Sequence, residues 1–295
     1  MKHTVFFFAF LCIFSCKKKT PEKSPVLTSP VIETAETSDS LAIKTQEVFS
    51  EKDLNSQKEK LRSLKKQQLF NIKDDKLSLQ KMLLSKAFFK ETDQYILDYK
   101  YPYLHEKEHP SFSIFNKRIE RDYLNISKVE NEILENKNRS CDSLLPSTSK
   151  DKRILDYKAY FSKNNTISIL VYKENYYAGA ANSSYMFECL NFDTDNAAFI
   201  THGDFFKKDT DKELFTTINK TIKETISSGE MYYDCWSLSE GDFDLYKNNF
   251  IIAEDSILFY FDDCVICPSY TGTYSITIPI QKIAHLITPS FSSLL

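Results

Sequence analysis

The chain has 295 residues, 42% of them hydrophobic, and 38 basic side chains stand against 41 acidic ones for a net charge of −3. That balance provides no basic field to hold nucleic acid. With only 5 glycines and no G-x-G-x-x-G or Walker spacing, the sequence also argues against nucleotide chemistry, whose phosphate loops are glycine-rich.

The first element is a basic head, Lys2 and His3, followed by an apolar run from Val5 to Phe14. A membrane-spanning helix needs roughly 20 apolar residues, so this run fits the core of a secretory signal peptide over residues 1–15. Ile13-Phe14-Ser15-Cys16 resembles a bacterial lipobox. In such signals the chain is cut before the cysteine, the thiol of Cys16 is lipidated, and the new amino group is acylated. More than one acyl chain gives stable membrane attachment. Lys17 after the cysteine favours the outer membrane by analogy with enteric sorting. Residues 16–75 read as a tether. Its first part, KKKTPEKSPVLTSPVIETAETSDS, has too little apolar content to fold. Leu54, Leu61, Leu64, Leu69 and Ile72 then recur near helical spacing, as in a weakly amphipathic helix or a stalk.

The folded body is expected from residue 76. Residues 77–91 and 94–104 read as paired strands around a Thr92-Asp93 turn. Phe115, Ile119, Tyr123, Ile126, Val129 and Ile133 make residues 111–134 an amphipathic helix, and 136–150 a loop. Strands follow at 153–162, 166–173 and 185–193. A second helix is expected over 209–227, with Asp209 or Thr210 as its cap and Glu213 at capping-box distance. Strands at 249–253, 256–261 and 273–280 and a short helix near 282–286 complete the chain. Helices and strands come in blocks with tight turns between several strand pairs, which predicts an α+β fold with mostly antiparallel sheets and two main helices.

Four groups of residues invite a chemical reading. His105-Glu106-Lys107-Glu108-His109 spells the H-E-x-x-H of zinc peptidases, but a zinc site needs both histidines on one face of a continuing helix. Pro110 disfavours the helical conformation at His109, so a charged loop is expected there and no metal site. Beyond Cys12 and Cys16, five cysteines remain: Cys141, Cys189, Cys235, Cys264 and Cys267. Cys264-x-x-Cys267 is open to two readings, a redox pair or a structural bridge involving at least one of the two. Thioredoxin-like chemistry wants its first cysteine at a helix N-terminus, whereas this pair follows a strand and precedes Pro268. The acidic pairs Asp262-Asp263 and Asp193/Asp195 are explained by turn hydrogen bonding. Trp236, beside Tyr232 and Tyr233 in a polar loop, is a candidate binding anchor or an edge of the core. No catalytic residue and no cofactor are predicted.

A family resemblance accompanies these patterns. Tyr101-Pro102 and then Phe115-Asn116 with Ile119 resemble the N-terminal domain of PdaC-type envelope proteins. YKENYYAGAANSSYMFECLNFDTDN, FITHGDFF and NFIIAEDSILFYFDDCVICPSYTGTYSITIPI resemble the C-terminal domain shared with RsiV-type proteins. The resemblance implies extracytoplasmic α+β modules, a PdaC-like domain over 76–190 and an RsiV-like domain over 191–295. Where relatives often carry Gly-Gly-Ala-His, this chain has Ala178-Gly179-Ala180-Ala181, so a ligand role for that histidine is absent. Neither a deacetylase domain nor a sigma-binding segment is expected. The function implied is a lipid-anchored envelope module that binds an envelope protein, a lysozyme-like hydrolase or cell-wall glycan. The alternative is a divergent envelope enzyme, either a wall hydrolase or deacetylase or a CxxC redox protein.

Overall fold

Among the described residues, alternation of apolar and polar side chains gives nine strands, and where the alternation stops the strand is covered on both faces. The computed structural model describes residues 69–139, 150–162, 165–178 and 183–294, together with 56, 57, 60, 63, 64 and 67. The expected signal peptide, the lipidation at Cys16, Cys141 and the Gly179-Ala180-Ala181 segment lie outside these residues. β1 (Leu83–Glu91), β2 (Tyr95–Leu104), β3 (Asp151–Ser162), β4 (Thr166–Tyr176), β5 (Ser184–Asp193) and β6 (Ala198–Ile200) form one sheet in sequence order. β7 (Phe250–Ile252), β8 (Ser256–Tyr260) and β9 (Ser275–Pro279) form a second. All neighbours are antiparallel except β2 and β3. A parallel pair needs a long crossover, supplied here by helices α1 (Phe112–Tyr123) and α2 (Ile126–Arg139).

Those two helices replace the single helix expected over 111–134. The break falls at Leu124, whose amide still bonds Glu120 O at 3.2 Å. Asn125 then starts a new helix, its Oδ1 accepting from Lys128 N at 3.2 Å, a side-chain cap that competes with continuing the first one. The first strand also starts later than expected, at Leu83, because residues 75–83 wind through turns in which Leu83 N bonds Leu79 O at 2.8 Å.

The layers run helix, sheet, sheet, helix. Leu97, Leu155, Ile167, Ile169, Val171 and Phe192 face Phe115, Ile119 and Ile133 of α1 and α2. On the opposite face Tyr160, Leu170, Tyr172, Tyr185 and Phe187 meet Ile251 and Tyr260 of the smaller sheet and Tyr274 just before β9. The far side of that sheet, Phe250, Ile252, Ile257, Phe259, Ile276 and Ile278, buries Leu214, Ile218 and Ile222 of the long helix α4 (Asp211–Ser228). The short helix α3 (His202–Phe205) precedes α4. Because β4 lies between two layers, Ile167 to Tyr172 are all buried. This is why Ile169 to Tyr172 lose the apolar–polar alternation, while the buried Ser168 is satisfied by hydrogen bonds. β1, at the sheet edge, is mostly exposed and carries Lys86 and Lys90, which discourage pairing with another chain.

Polar groups fix how the two sheets sit. Ser168 Oγ donates to Asn191 Oδ1 at 2.6 Å, and Asn191 Nδ2 donates to Phe250 O at 2.8 Å. β6 pairs only with the last three residues of β5, so the rest of that edge finds other partners. Cys189 N donates to Asn249 Oδ1 at 2.7 Å and Phe187 N to Asp262 Oδ1 at 2.8 Å. Asp263 N donates to Tyr185 O at 3.0 Å. β5 is therefore bonded into both halves, and the boundary expected between residues 190 and 191 falls inside it. Packing also begins before residue 76: Leu69 is buried, and Phe70 meets the Tyr172 ring edge-on at 5.0 Å. Lys158 holds this segment, donating to Phe70 O at 3.0 Å and Ile72 O at 2.5 Å.

A disulfide-pinned aromatic platform

The loop from 229 to 239 leaves α4 through Gly229, whose φ of 79° is a left-handed cap that glycine adopts without a Cβ penalty. Met231 and Leu238 drop into the core below. Asn219 on α4 pins the far end, with Leu238 N donating to its Oδ1 at 2.7 Å and its Nδ2 donating to Leu238 O at 3.1 Å. Ser239 then caps α5 (Glu240–Tyr246) by accepting from Asp242 N at 3.1 Å. Sequence reasoning missed α5. Its signal was Ser239 followed by an acidic first turn ahead of Phe243, inside a stretch polar enough to pass for loop.

A second loop, 262–274, runs beside the first. Cys235 and Cys267 form a disulfide between the two. Cys267 is thus bonded away from Cys264, and the Cys264–Cys267 redox pair is not formed. Four residues after the end of β8, the chain turns through Cys264 at φ 65°, which leaves that thiol exposed while Cys267 is buried in the core. Cys189 is buried, and burial raises its thiol pKa, which disfavours the thiolate. Trp236 adds two bonds across the loops, N to Ile266 O and Nε1 to Val265 O, both at 2.9 Å.

What these anchors leave outside is aromatic. Tyr232 and Tyr233 stack with centroids 4.6 Å apart, and Tyr270 from the second loop meets Tyr232 edge-on at 5.8 Å. Tyr233 is 75% exposed, Trp236 42% and Tyr232 36%. The Tyr270 hydroxyl donates to Asp234, which pushes its ionisation up to about 12. Tyr232, Tyr233 and Trp236 are thus all exposed on the first loop, and Tyr270 from the second joins the two tyrosines, a contact with no trace in the sequence pattern. Aromatic side chains with little conformational freedom are the residues that anchor protein interfaces. No group of three metal-ligating side chains occurs among the described residues.

The remaining candidates are structural. His105 to His109 form a turn in which Glu108 N bonds His105 O at 2.9 Å. Glu106 accepts from Asn116 Nδ2 at 2.9 Å and from the Tyr103 hydroxyl at 3.1 Å. Those bonds, Asn116 first, lower its pKa. Asp262 closes the β5 edge, and burial raises its pKa. The capping box expected at Thr210 is absent: Thr210 Oγ1 donates to Lys207 O at 2.7 Å, while Glu213 pairs with His285 at 2.7 Å.

Comparison with known proteins agrees with this architecture. A family model described as a protein of unknown function (DUF3298) matches residues 203–281, a span that includes α4, both platform loops and the smaller sheet. The peptidoglycan-N-acetylmuramic acid deacetylase PdaC of Bacillus subtilis (strain 168) is 30% identical over 147 residues, 49% of this chain and 31% of that protein. The anti-sigma-V factor RsiV of the same organism is 25% identical over 208 residues, 67% of either chain. The crystal structure of a DUF3298 family member from Bacteroides fragilis NCTC 9343 covers 70% of this chain and 94% of that one, at TM-score 0.50 and 15% identity. The fold is that of this structural neighbour, and the sequence is distantly similar to a wall deacetylase of which the chain spans less than a third and to an anti-sigma factor.

Proposed function

We propose that this protein is a lipid-anchored recognition module of the cell envelope, held at Cys16 and facing its partner with the Tyr232–Tyr233–Trp236 platform. The observation that carries the reading is the platform itself. Two loops are fastened by a disulfide and by Trp236 so that aromatic rings stay ordered while exposed. Pre-ordered anchors lose little freedom on binding, so more of their contact energy appears as affinity. An interlocked aromatic surface of this kind suits a protein partner, and an envelope protein such as a lysozyme-like hydrolase is the class we assign. Similarity to a wall deacetylase and to an anti-sigma factor supports an envelope setting, as does the apolar N-terminal run ending at Cys16. Outer-membrane attachment follows from Lys17 in the same proposal.

The test is photo-crosslinking from position 233 in intact cells, followed by calorimetry of the captured protein with the wild-type chain and with Trp236→Ala. Capture of one envelope protein whose affinity drops by about tenfold or more in the variant is expected. Crosslinks spread evenly over many proteins, or an affinity unchanged in Trp236→Ala, would refute the platform as the recognition surface.

A further inference from the structure

The parallel pairing of β2 with β3 ends at Tyr99 and Leu155, and beyond it residues 69–76 take over that side of β3. Asp75 N donates to Ala159 O at 2.7 Å, and Phe161 N donates to Asp75 Oδ2 at 3.0 Å. A cleft of about 640 Å³ remains between this segment and the larger sheet, within the size range of small-ligand sites. It shares no residue with the platform loops. Four lysines line it, Lys73, Lys76, Lys100 and Lys158, against two carboxylates, Asp74 and Asp156.

Most of that positive charge is unpaired. Lys76 stands 3.8 Å from Asp74 and 4.0 Å from the Tyr157 ring centre. The side chains of Lys73 and Lys100 make no hydrogen bond or ion pair among the described residues. Lys158 is only 4% exposed. Its ammonium carries three N–H donors and gives two of them to Phe70 O and Ile72 O, which leaves one for the cleft it lines. Carbonyl oxygens solvate a cation without neutralising it, and a buried charge without an ionic partner is costly. Burial lowers the Lys158 pKa, with Asp74 and Asp156 pulling the other way.

Charge and donor type select the ligand. Four lysines against two carboxylates leave two positive charges, which a doubly charged anion neutralises and a monocarboxylate does not. Ammonium groups act as point charges from several directions and suit a tetrahedral oxyanion, whereas the planar fork of arginine is absent from this lining. Free phosphate and phosphate monoesters carry close to two charges at neutral pH. We infer that the cleft binds a phosphate group of this kind, its oxygens held by Lys158, Lys73 and Lys100. Lipid headgroups and soluble metabolites both present such a group, and the experiment separates the two.

Calorimetry on the full chain at constant ionic strength tests this with inorganic phosphate, glycerol 3-phosphate and acetate. Both phosphates are expected to bind at least about tenfold more tightly than acetate, a difference of about 1.4 kcal/mol. Because Lys158 also fastens the 69–76 segment, the exposed pair is replaced instead: Lys73→Gln with Lys100→Gln should remove the preference at an unchanged thermal midpoint. Trp236→Ala should leave it intact. Sedimentation with vesicles of phosphatidylcholine, and of equal parts phosphatidylcholine and phosphatidic acid, identifies the source. Extra binding to the second vesicle that the double variant loses assigns a lipid headgroup; phosphate binding without that gain assigns a soluble ligand. Equal affinity for acetate, no phosphate binding at about 10 mM, or a preference kept in the double variant would each overturn the inference.

Discussion

The platform and the cleft are two solutions to holding surface groups in place. The cleft takes its geometry from the larger sheet and the 69–76 segment bonded to β3, so its residues inherit the order of the core. The platform sits on two loops, one of them holding Tyr270 in a single 3-10 turn (Ser269–Thr271), and its order comes from one disulfide, Trp236 and the Asn219 clamp. Regular structure positions side chains through many weak contacts shared with the fold, whereas a loop needs a few strong ones of its own. The two surfaces should therefore respond differently to the same insults.

The largest effect should come from breaking what both share. Asn191→Ala removes partners of Ser168 Oγ, Ile252 N and Phe250 O between the sheets. Leaving buried polar groups unpaired should cost about 3 kcal/mol, seen as a lower denaturation midpoint, and should weaken platform and cleft together. Reducing the Cys235–Cys267 bridge separates them. Closing a chain loop with a sequence separation of 32 contributes about 4 kcal/mol in the chain-entropy description. Reduction should raise hydrogen exchange in residues 229–239 and 262–274 and abolish partner capture, while exchange in α1, α2 and the larger sheet stays unchanged. An equal rise in both regions would show that the platform is not independently pinned.

Gly229→Ala sharpens the comparison further. No atom lies within 4 Å of an added Cβ there, so its cost, about 1 kcal/mol, is backbone strain at the entrance to the platform loop alone. The smallest effect concerns pH. His202 is buried, which lowers its pKa against the opposing pull of Asp211. A folded-state pKa below the unfolded value of 6.5 means the contribution is fully present above 6.5 and is lost as pH falls below it. The thermal midpoint should therefore drop modestly between pH 7 and pH 5. His202→Phe should flatten that slope; an unchanged slope would remove His202 as its source.

Much of the fold was legible because burial writes itself into period. The strands at 153–162, 166–173 and 185–193 and the helix at 209–227 were found within a few residues, since each has a face pressed against another layer. The break at Asn125 was missed because the apolar rhythm of Ile119, Tyr123, Ile126 and Val129 continues across it, and a cap costs only one side chain to write. β6 and α5 escaped for the opposite reason, being too short to show a period. At the platform, Tyr232, Tyr233 and Trp236 stood out as aromatics in polar surroundings. Their joining to Tyr270 did not, because pairing Cys235 with Cys267 is one of several pairings that five cysteines permit. The cleft was invisible. Lys73, Lys100 and Lys158 are far apart in sequence and read singly as ordinary surface charge.

The edge of β5 carries a consequence of its own. Amides on a sheet's open side usually exchange with solvent deuterium through local fraying. Those of Phe187 and Cys189 instead donate to carboxylate and amide side chains from Asp262 and Asn249, which belong to the segments flanking the smaller sheet. For either proton to escape, the two sheets must part. These two amides should therefore be among the slowest in the molecule, reporting global opening from what looks on a topology diagram like an unguarded border.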